Sequence, residues 1–365
     1  MAIRSVFFGF PSIGKSLLDE AGSAAELLGG DRARFMPHFL RHEALWRRFL
    51  GLGGSELREA ESELDRIEAL GLALIPINDP RYPALLRQIA DPPLALVARG
   101  GAIEALSAPV IAMVGSRRAS QRAMETGASI AMGLAEAGYT IASGLAYGID
   151  SACHRGAIAG GGLTVAVMGC GPEMVYPPGN ARLYQAIAAS GVILSEFPIG
   201  TAPFRQNFPQ RNRVISGIAL ATVVVEAAEK SGSLITARFA LEQNREVMAV
   251  PGPGGTAGAK GVNSLIRDGA PLVESADDVA AHIDPLLAGR QFVKISGQLE
   301  TDVEMDSALL GAVPARGAVS VDEIVARTGM RASSVLARLG ELCVAGEVEQ
   351  LPGRRWRRIR RRTDA

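Results

Sequence analysis

Val110-Ile111-Ala112-Met113-Val114-Gly115-Ser116-Arg117-Arg118-Ala119-Ser120 is the stretch that decides the fold. Five apolar residues in a row suit a strand buried on both faces, as in a parallel sheet. Gly115 permits a sharp turn, and Ser120 can cap a helix predicted over residues 120–137. The same phrase recurs about every 25–30 residues. Strands are predicted over 139–142, 164–168, 192–195, 219–225 and 246–250, and helices near 149–159, 180–189, 207–216 and 234–243. This alternation predicts an α/β fold, a doubly wound parallel sheet over about residues 105–283.

Ahead of the sheet, residues 55–70 place Leu57, Ala60, Leu64, Ile67 and Leu70 at helical spacing. Residues 72–77 and the loop Asp79-Pro80-Arg81-Tyr82-Pro83 lead into the sheet. Toward the other end, residues 284–304 are polar and read as a linker. Helices are then predicted over 307–313, from Ser320-Val321-Asp322-Glu323, and over 333–345. Ser320 or Asp322 is the cap of the second. Two short strands, 347–351 and 355–359, flank Pro352-Gly353. Helix, helix–turn–helix and hairpin is the winged-helix order. The expected domains are a helical one at 1–70, the α/β domain with its lead-in at 71–283, a linker at 284–305, and a winged-helix-like domain with a basic tail at 306–365.

The chain carries 38 Lys+Arg and 38 Asp+Glu, a formal net charge of zero. Taken alone, that argues against a nucleic-acid binder. The distribution is uneven: residues 351–365 hold seven arginines against Asp364, a net of +6. The 42 glycines among 365 residues exceed the usual share of about 7% and point to many tight turns. Cys153, Cys170 and Cys343 lie far apart, which fits free thiols in a reducing cytoplasm. No apolar run is long enough to span a membrane, and no export signal is read at the N-terminus. His38 and His42 lack metal-ligand context and read as a helix face, so no metal is expected.

Gly9-Phe10-Pro11-Ser12-Ile13-Gly14-Lys15-Ser16 satisfies G-x-x-x-x-G-K-S. The following residues supply no parallel strand ending in a magnesium-binding acid. The motif reads instead as a helix–turn–helix turn around Ser12-Ile13-Gly14. The turns of the sheet are more informative. Gly115, Ser116 and Arg117 end the first strand, Ser143 and Gly144 the next. Phe208-Pro209-Gln210-Arg211-Asn212-Arg213 precedes a buried helix, and Lys230-Ser231-Gly232-Ser233 opens another. Helix N-termini and arginine forks both suit phosphate, and ligands bind at the carboxyl edge of such sheets. Several donors and few acids suit an extended phosphate chain. Neither turn is G-x-G-x-x-G, and no acid stands in the ribose-binding place, so no dinucleotide cofactor is expected. No nucleophile–base pair stands out. Cys153 and His154 are adjacent on a helix and diverge; Glu196 and Glu226 read as holders of turn amides or arginines.

At these residues the sequence resembles the DNA-processing protein A (DprA, Smf) family. The resemblance lies in Val114-Gly115-Ser116-Arg117, in Ser143-Gly144-Leu145-Ala146-Tyr147-Gly148-Ile149-Asp150, and in Val167-Met168-Gly169-Cys170-Gly171 with Val175-Tyr176-Pro177. It continues through Ser195-Glu196-Phe197-Pro198, Phe208 to Ile215, Ser231 to Ala237, Val250-Pro251-Gly252 and Gly261 to Ile266. It covers about residues 105–283, with a lead-in at Tyr82-Pro83 and a winged-helix-like domain at 306–360. The N-terminal helices resemble the family's SAM/HhH-like domain only loosely. The resemblance implies an extended Rossmann-like sheet without a redox cofactor. It implies a cytoplasmic, non-enzymatic protein, dimeric through that domain. Such a protein binds single-stranded DNA during natural transformation and loads a RecA-type recombinase onto it. Carried over, the DNA site includes Gly115, Ser116, Arg117, Ser143, Gly144, Phe208, Arg211, Asn212, Arg213, Lys230, Gly232 and Ser233, with Arg117, Arg211 and Arg213 on phosphates. Aromatic residues are only 5% of the chain, with Phe208 and Tyr147 near the motifs, so binding is expected to be phosphate-led and sequence-neutral.

Two other classes compete. Pro253-Gly254-Gly255-Thr256 faintly matches the glycine-rich motif of lysine-decarboxylase-like nucleotide phosphoribohydrolases. The winged-helix pattern would also suit a regulator with a sensor domain.

Overall fold

The computed structural model describes residues 1–287, 309–314, 318–328, 335, 339, 342, 343, 347–351 and 355–358. The chain divides into two compact units, Met1–Gly297 and Gln298–Ala365.

The first unit is built on one eight-stranded sheet. Its strands are β1 (Ala73–Pro76), β2 (Ala95–Arg99), β3 (Val110–Val114), β4 (Thr140–Ser143), β5 (Thr164–Val167), β6 (Val192–Ser195), β7 (Ala221–Val224) and β8 (Glu246–Ala249). Their spatial order is β1-β2-β6-β5-β4-β3-β7-β8. The six strands β3 to β8 are parallel where they pair, while β2 runs antiparallel to both β1 and β6. Alternate residues of β3 feed opposite faces, as a pleat requires: Val110, Ala112 and Val114 join one core, Ile111 and Met113 the other. The chain proceeds outward from β3 to β6 and then returns to β7 on β3's other side. This reversal between β3 and β7 is where an open sheet leaves a crevice. The extended Rossmann-like fold is therefore realised, with β2 as an addition that periodicity did not show.

Five helices precede the sheet: α1 (Ala2–Phe7), α2 (Pro11–Ala21), α3 (Ala24–Gly29), α4 (Glu43–Leu50) and α5 (Gly54–Ala69). With the 3-10 turn Arg32–Phe39 between α3 and α4, they share a core of Phe7, Phe35, Phe39 and Phe49, joined by Leu94. The phosphate-loop look-alike belongs to this packing. No strand precedes it, and Gly14 lies inside α2, where a Cβ would come within 2.5 Å of Leu94 and 2.9 Å of Phe7. Lys15 pairs with Asp19 one turn on. The turn itself falls at residues 8–10, earlier than expected.

The remaining helices are α6 (Ala84–Arg87), α7 (Gln121–Glu136), α8 (Ile149–Ala159), α9 (Ala181–Ser190), α10 (Asn207–Gly217), α11 (Gly232–Glu242), α12 (Lys260–Arg267) and α13 (Ala276–Leu287). α13 continues into the segment read as a linker; residues 288–305 lie outside the described residues.

In the second unit β9 (Val319–Ser320) leads into α14 (Val321–Thr328), and β10 (Val348–Leu351) pairs with β11 (Arg355–Arg358). β11 also pairs with β9, completing a three-stranded sheet. Leu309, Val319, Ile324, Leu339, Val348 and Trp356 form its core. The expected turn Pro352-Gly353 and the arginines beyond residue 358 lie outside the described residues. Ser320 performs two tasks. It ends β9, and its Oγ accepts from the Glu323 amide at 3.3 Å while the Glu323 carboxylate accepts from the Ser320 amide at 2.8 Å. This reciprocal capping box starts α14. Ser320→Ala is expected to destabilise the unit by about 1 kcal/mol, read as a lower denaturant midpoint with an unchanged slope.

Candidate functional site

A cleft of about 840 Å³ opens at the carboxyl ends of β3 and β7, at the switch point. The turn after β3 is tight because Gly115 sits against Ile149, where a Cβ would lie 2.5 Å from that side chain. Glu226, at the end of β7, ties the two sides together. Its backbone oxygen accepts from the Ser116 amide at 2.7 Å. Its carboxylate accepts from the amide and hydroxyl of Ser120, the latter at 2.7 Å. Ser120 caps α7 as expected, accepting from the Ala123 amide. Held in this way, the turn presents Arg117 and Arg118, both exposed, at the cleft.

The loop after β4 forms the next wall, and its polar groups are bound by buried side chains. One oxygen of Asp150 accepts from the amides of Gly144 at 3.2 Å and Ala146 at 3.3 Å. Asn180 donates to the Leu145 carbonyl and Ser151 to that of Ala146. Leu145 occupies the left-handed region at φ 55° and is buried. Such strain persists only where the surroundings over-determine it. Arg211, on α10, closes the floor: its Nη1 donates to the carbonyls of Gly144, at 2.7 Å, and of Val167. Burial lowers the Arg211 pKa to about 10, against the opposing pull of Asp150. Burial also raises the Asp150 carboxyl, against Arg211 and the loop amides.

Phe208 stands one turn before Arg211. The guanidinium of Arg117 lies 5.3 Å from its ring centroid and that of Arg211 5.9 Å, while Tyr176 stacks on it at 5.5 Å. The ring thus spaces two cations by cation–π attraction. Arg205, in the preceding loop, is exposed and lines the cleft. On the far side α11 starts at the cleft. Ser231 caps it, accepting from the Ser233 amide at 3.3 Å. Its first residue, Gly232, is exposed and a Cβ there would meet nothing within 4 Å, so an anion can approach the helix's positive end closely.

A glycine-serine-arginine turn, an arginine-bearing floor and a helix end thus converge at one switch point, on a chain with clear relatives. The family model described as DNA recombination-mediator protein A matches residues 73–284. The chain belongs to that family. A second family model, the DprA winged helix domain, matches residues 300–354. Protein Smf of Escherichia coli K12 is 35% identical over 349 residues, covering 91% of this chain and 92% of that protein. The DNA processing protein DprA of Streptococcus pneumoniae R6 is 40% identical over 208 residues, covering 57% of this chain and 73% of that protein. The X-ray structure of DNA processing protein A from Streptococcus pneumoniae superposes with a TM-score of 0.63 at 35% identity, covering 73% of this chain and 90% of that one. A structure of DNA processing protein A from Helicobacter pylori, described for its single-stranded DNA binding mode, gives a TM-score of 0.53 at 26% identity, covering 60% of this chain and 96% of that one.

Within this member of the family, the residues singled out from sequence separate into two groups. Gly115, Ser116, Arg117, Phe208, Arg211, Asn212, Gly232 and Ser233 line the cleft. Gly144 borders a smaller recess beside it, with Tyr147 and Tyr176. Ser143 is buried and donates to the Met113 carbonyl at 2.5 Å, which fixes β4 to β3. Lys230 is exposed but does not line the cleft. Arg213 requires a correction. It is 4% exposed and its guanidinium binds Glu196 at 2.6 Å and Asp91 at 3.0 Å. Arg211 and Arg213 stand two apart on a helix and so face different ways, a signal present in the sequence. Sequence reasoning missed Arg205 and Tyr176 as cleft residues, and named only Arg117 of the adjacent pair Arg117-Arg118 as a site residue. Arg118 directly follows a named arginine, and Arg205 stands one turn before Phe208 with no motif around it.

Glu196 and Glu226 hold an arginine and turn groups, as expected. His154 is fully buried with its Nδ1 2.7 Å from the Thr164 hydroxyl, and burial lowers its pKa to about 3. A groove of about 660 Å³ also runs between the N-terminal helices and β1, but none of the motif turns opens into it.

Proposed function

We propose that the cleft binds single-stranded DNA by its phosphates, without sequence preference. On this reading the protein protects incoming single strands in natural transformation and loads a RecA-type recombinase onto them, as a homodimer joined through the Rossmann-like domain. The observation that carries it is the convergence of Arg117, Arg118, Arg205 and Arg211 with the α11 N-terminus on one cleft that has a single acid among its lining residues. Arginine forks and helix amides are both suited to phosphate oxygens. The single-strand binding described for the Helicobacter pylori relative supports the same ligand.

The phosphoribohydrolase reading receives no support from the site. Pro253 to Thr256 is exposed and does not line the cleft. Cys153 is buried against the Gly127 carbonyl, and burial pushes its thiol up.

The test is fluorescence anisotropy of a labelled oligo-dT across a salt series. Arg117→Ala should raise Kd several-fold and reduce the slope of log K against log salt by about 0.7 for each phosphate it leaves unneutralised. Unchanged binding would refute the proposal, and tighter binding of a specific duplex would favour a regulator. Strand exchange by a RecA-type recombinase, with and without the protein, tests the loading role; sedimentation tests the dimer.

A further inference from the structure

The single acid of the cleft has no role in gripping an anion. Asp150 is 6% exposed, yet it borders the cleft beside the Arg211 guanidinium. Its bonds to the two loop amides do not need its charge, and the Ser143 hydroxyl is its other hydrogen-bonding neighbour. Both loop amides go to the same oxygen, Oδ2. An asparagine presents one such oxygen in the same place and could keep both bonds. What only a carboxylate supplies is a negative charge opposing Arg211.

A phosphate entering the cleft would supply that same charge. Asp150 and the bound strand are therefore alternatives as counter-charge to Arg211, and each weakens the need for the other. Arg211 itself cannot swing out to meet a ligand without leaving the Gly144 and Val167 carbonyls, so its effect on phosphate is that of a fixed positive field. A fixed field with a fixed opposing charge beside it is a weaker attractor. We infer that Asp150 is an affinity-limiting residue, which holds the loop in place while keeping phosphate binding weak enough for the strand to be released. This rests on reading the cleft as the single-strand site. A protein that hands its strand to another would need such a limit.

The sign of the effect separates this role from a purely structural one. In full-length protein, Asp150→Asn is expected to bind labelled oligo-dT about three- to tenfold more tightly at low salt, with the gain shrinking as salt rises. Most of the gain should appear as slower dissociation in stopped-flow competition. Asp150→Ala, which strips the acceptor from both amides, is expected to bind more weakly than wild type. Equal or weaker binding by a folded Asp150→Asn protein would reduce Asp150 to a loop anchor and overturn the inference. Because the Asn variant leaves Arg211 unbalanced in the interior, a second comparison is made in an Arg211→Gln background. There burial neutralises the carboxyl that Arg211 no longer holds ionised, so adding Asp150→Asn should change affinity little; a gain as large as in the wild-type background would overturn the inference. Wild-type protein that shows no salt-dependent single-strand binding would refute the reading of the cleft itself, a different failure from wild-type binding that the Asn variant does not improve.

Discussion

Replacing Arg213 by alanine is expected to lower folding stability by about 3–5 kcal/mol, because it strands a buried carboxylate. Glu196 is as deeply buried as Arg213, each 4% exposed, and their contact is 2.6 Å. The same guanidinium reaches Asp91 in the lead-in, and Arg4 of α1 donates to the Glu196 carbonyl at 2.9 Å. Arg213 thus joins α10, the end of β6 and the lead-in, and the destabilisation should appear as a lower urea midpoint. The effect depends on pH with a definite sign. Burial already raises the Glu196 carboxyl above its ordinary value, with Arg213 as the largest opposing influence. Without Arg213 the folded-state pKa rises further, so the native state binds a proton that the unfolded state has released. Stability then falls as pH rises through the window above the ordinary glutamate pKa. The deficit against wild type should be smallest near pH 5 and grow toward pH 8. Adding Glu196→Gln to Arg213→Met should recover much of the stability, since neither partner is then left charged. A deficit under about 1 kcal/mol would place this contact with ordinary surface ion pairs and contradict its burial.

How far the sequence could be read follows from which residues act locally. Strands β3 to β8 were legible because a strand covered on both faces must be apolar throughout, as Val110–Val114 is. The starts of α7, α11 and α14 were legible from Ser120, Ser231 and Ser320, whose side chains cap them. β2 was not, because its place between β1 and β6 depends on antiparallel pairings made far along the chain, such as Val97 with Ser195. The cleft was legible in outline, since its turns end strands whose order the connections constrain. Its inner wiring was not. Nothing local tells that Arg213 meets Asp91, or that Phe208 has Arg117, Arg211 and Tyr176 around one ring. The phosphate-loop look-alike was rightly set aside from its context, but the turn it was read as falls earlier, and at Gly14 the missing Cβ makes room for Leu94 and Phe7.

Gly144→Ala is expected to have the largest effect on the cleft for the smallest change in side chain. A Cβ at this position would lie 2.6 Å from both Nη atoms of Arg211 and 2.7 Å from its Cζ. Elsewhere an arginine tip could swing aside, but this one is buried and held by the carbonyls of Gly144 and Val167. Displacing it breaks two charge-assisted hydrogen bonds, each of about 1.5–3 kcal/mol, and withdraws the floor of the cleft. It also disturbs the loop that Asp150 holds through the Gly144 amide. Single-strand affinity should fall more than about tenfold, with folding stability lower by about 2–4 kcal/mol. The cause can be isolated with Arg211→Ala. Once the guanidinium is gone the added methyl has space, so the double variant should be little worse than Arg211→Ala alone. The coupling between the two sites should exceed about 1 kcal/mol in urea unfolding, as for residues in direct contact. Additive effects would mean that Gly144 is required for a reason other than the passage of Arg211 across it.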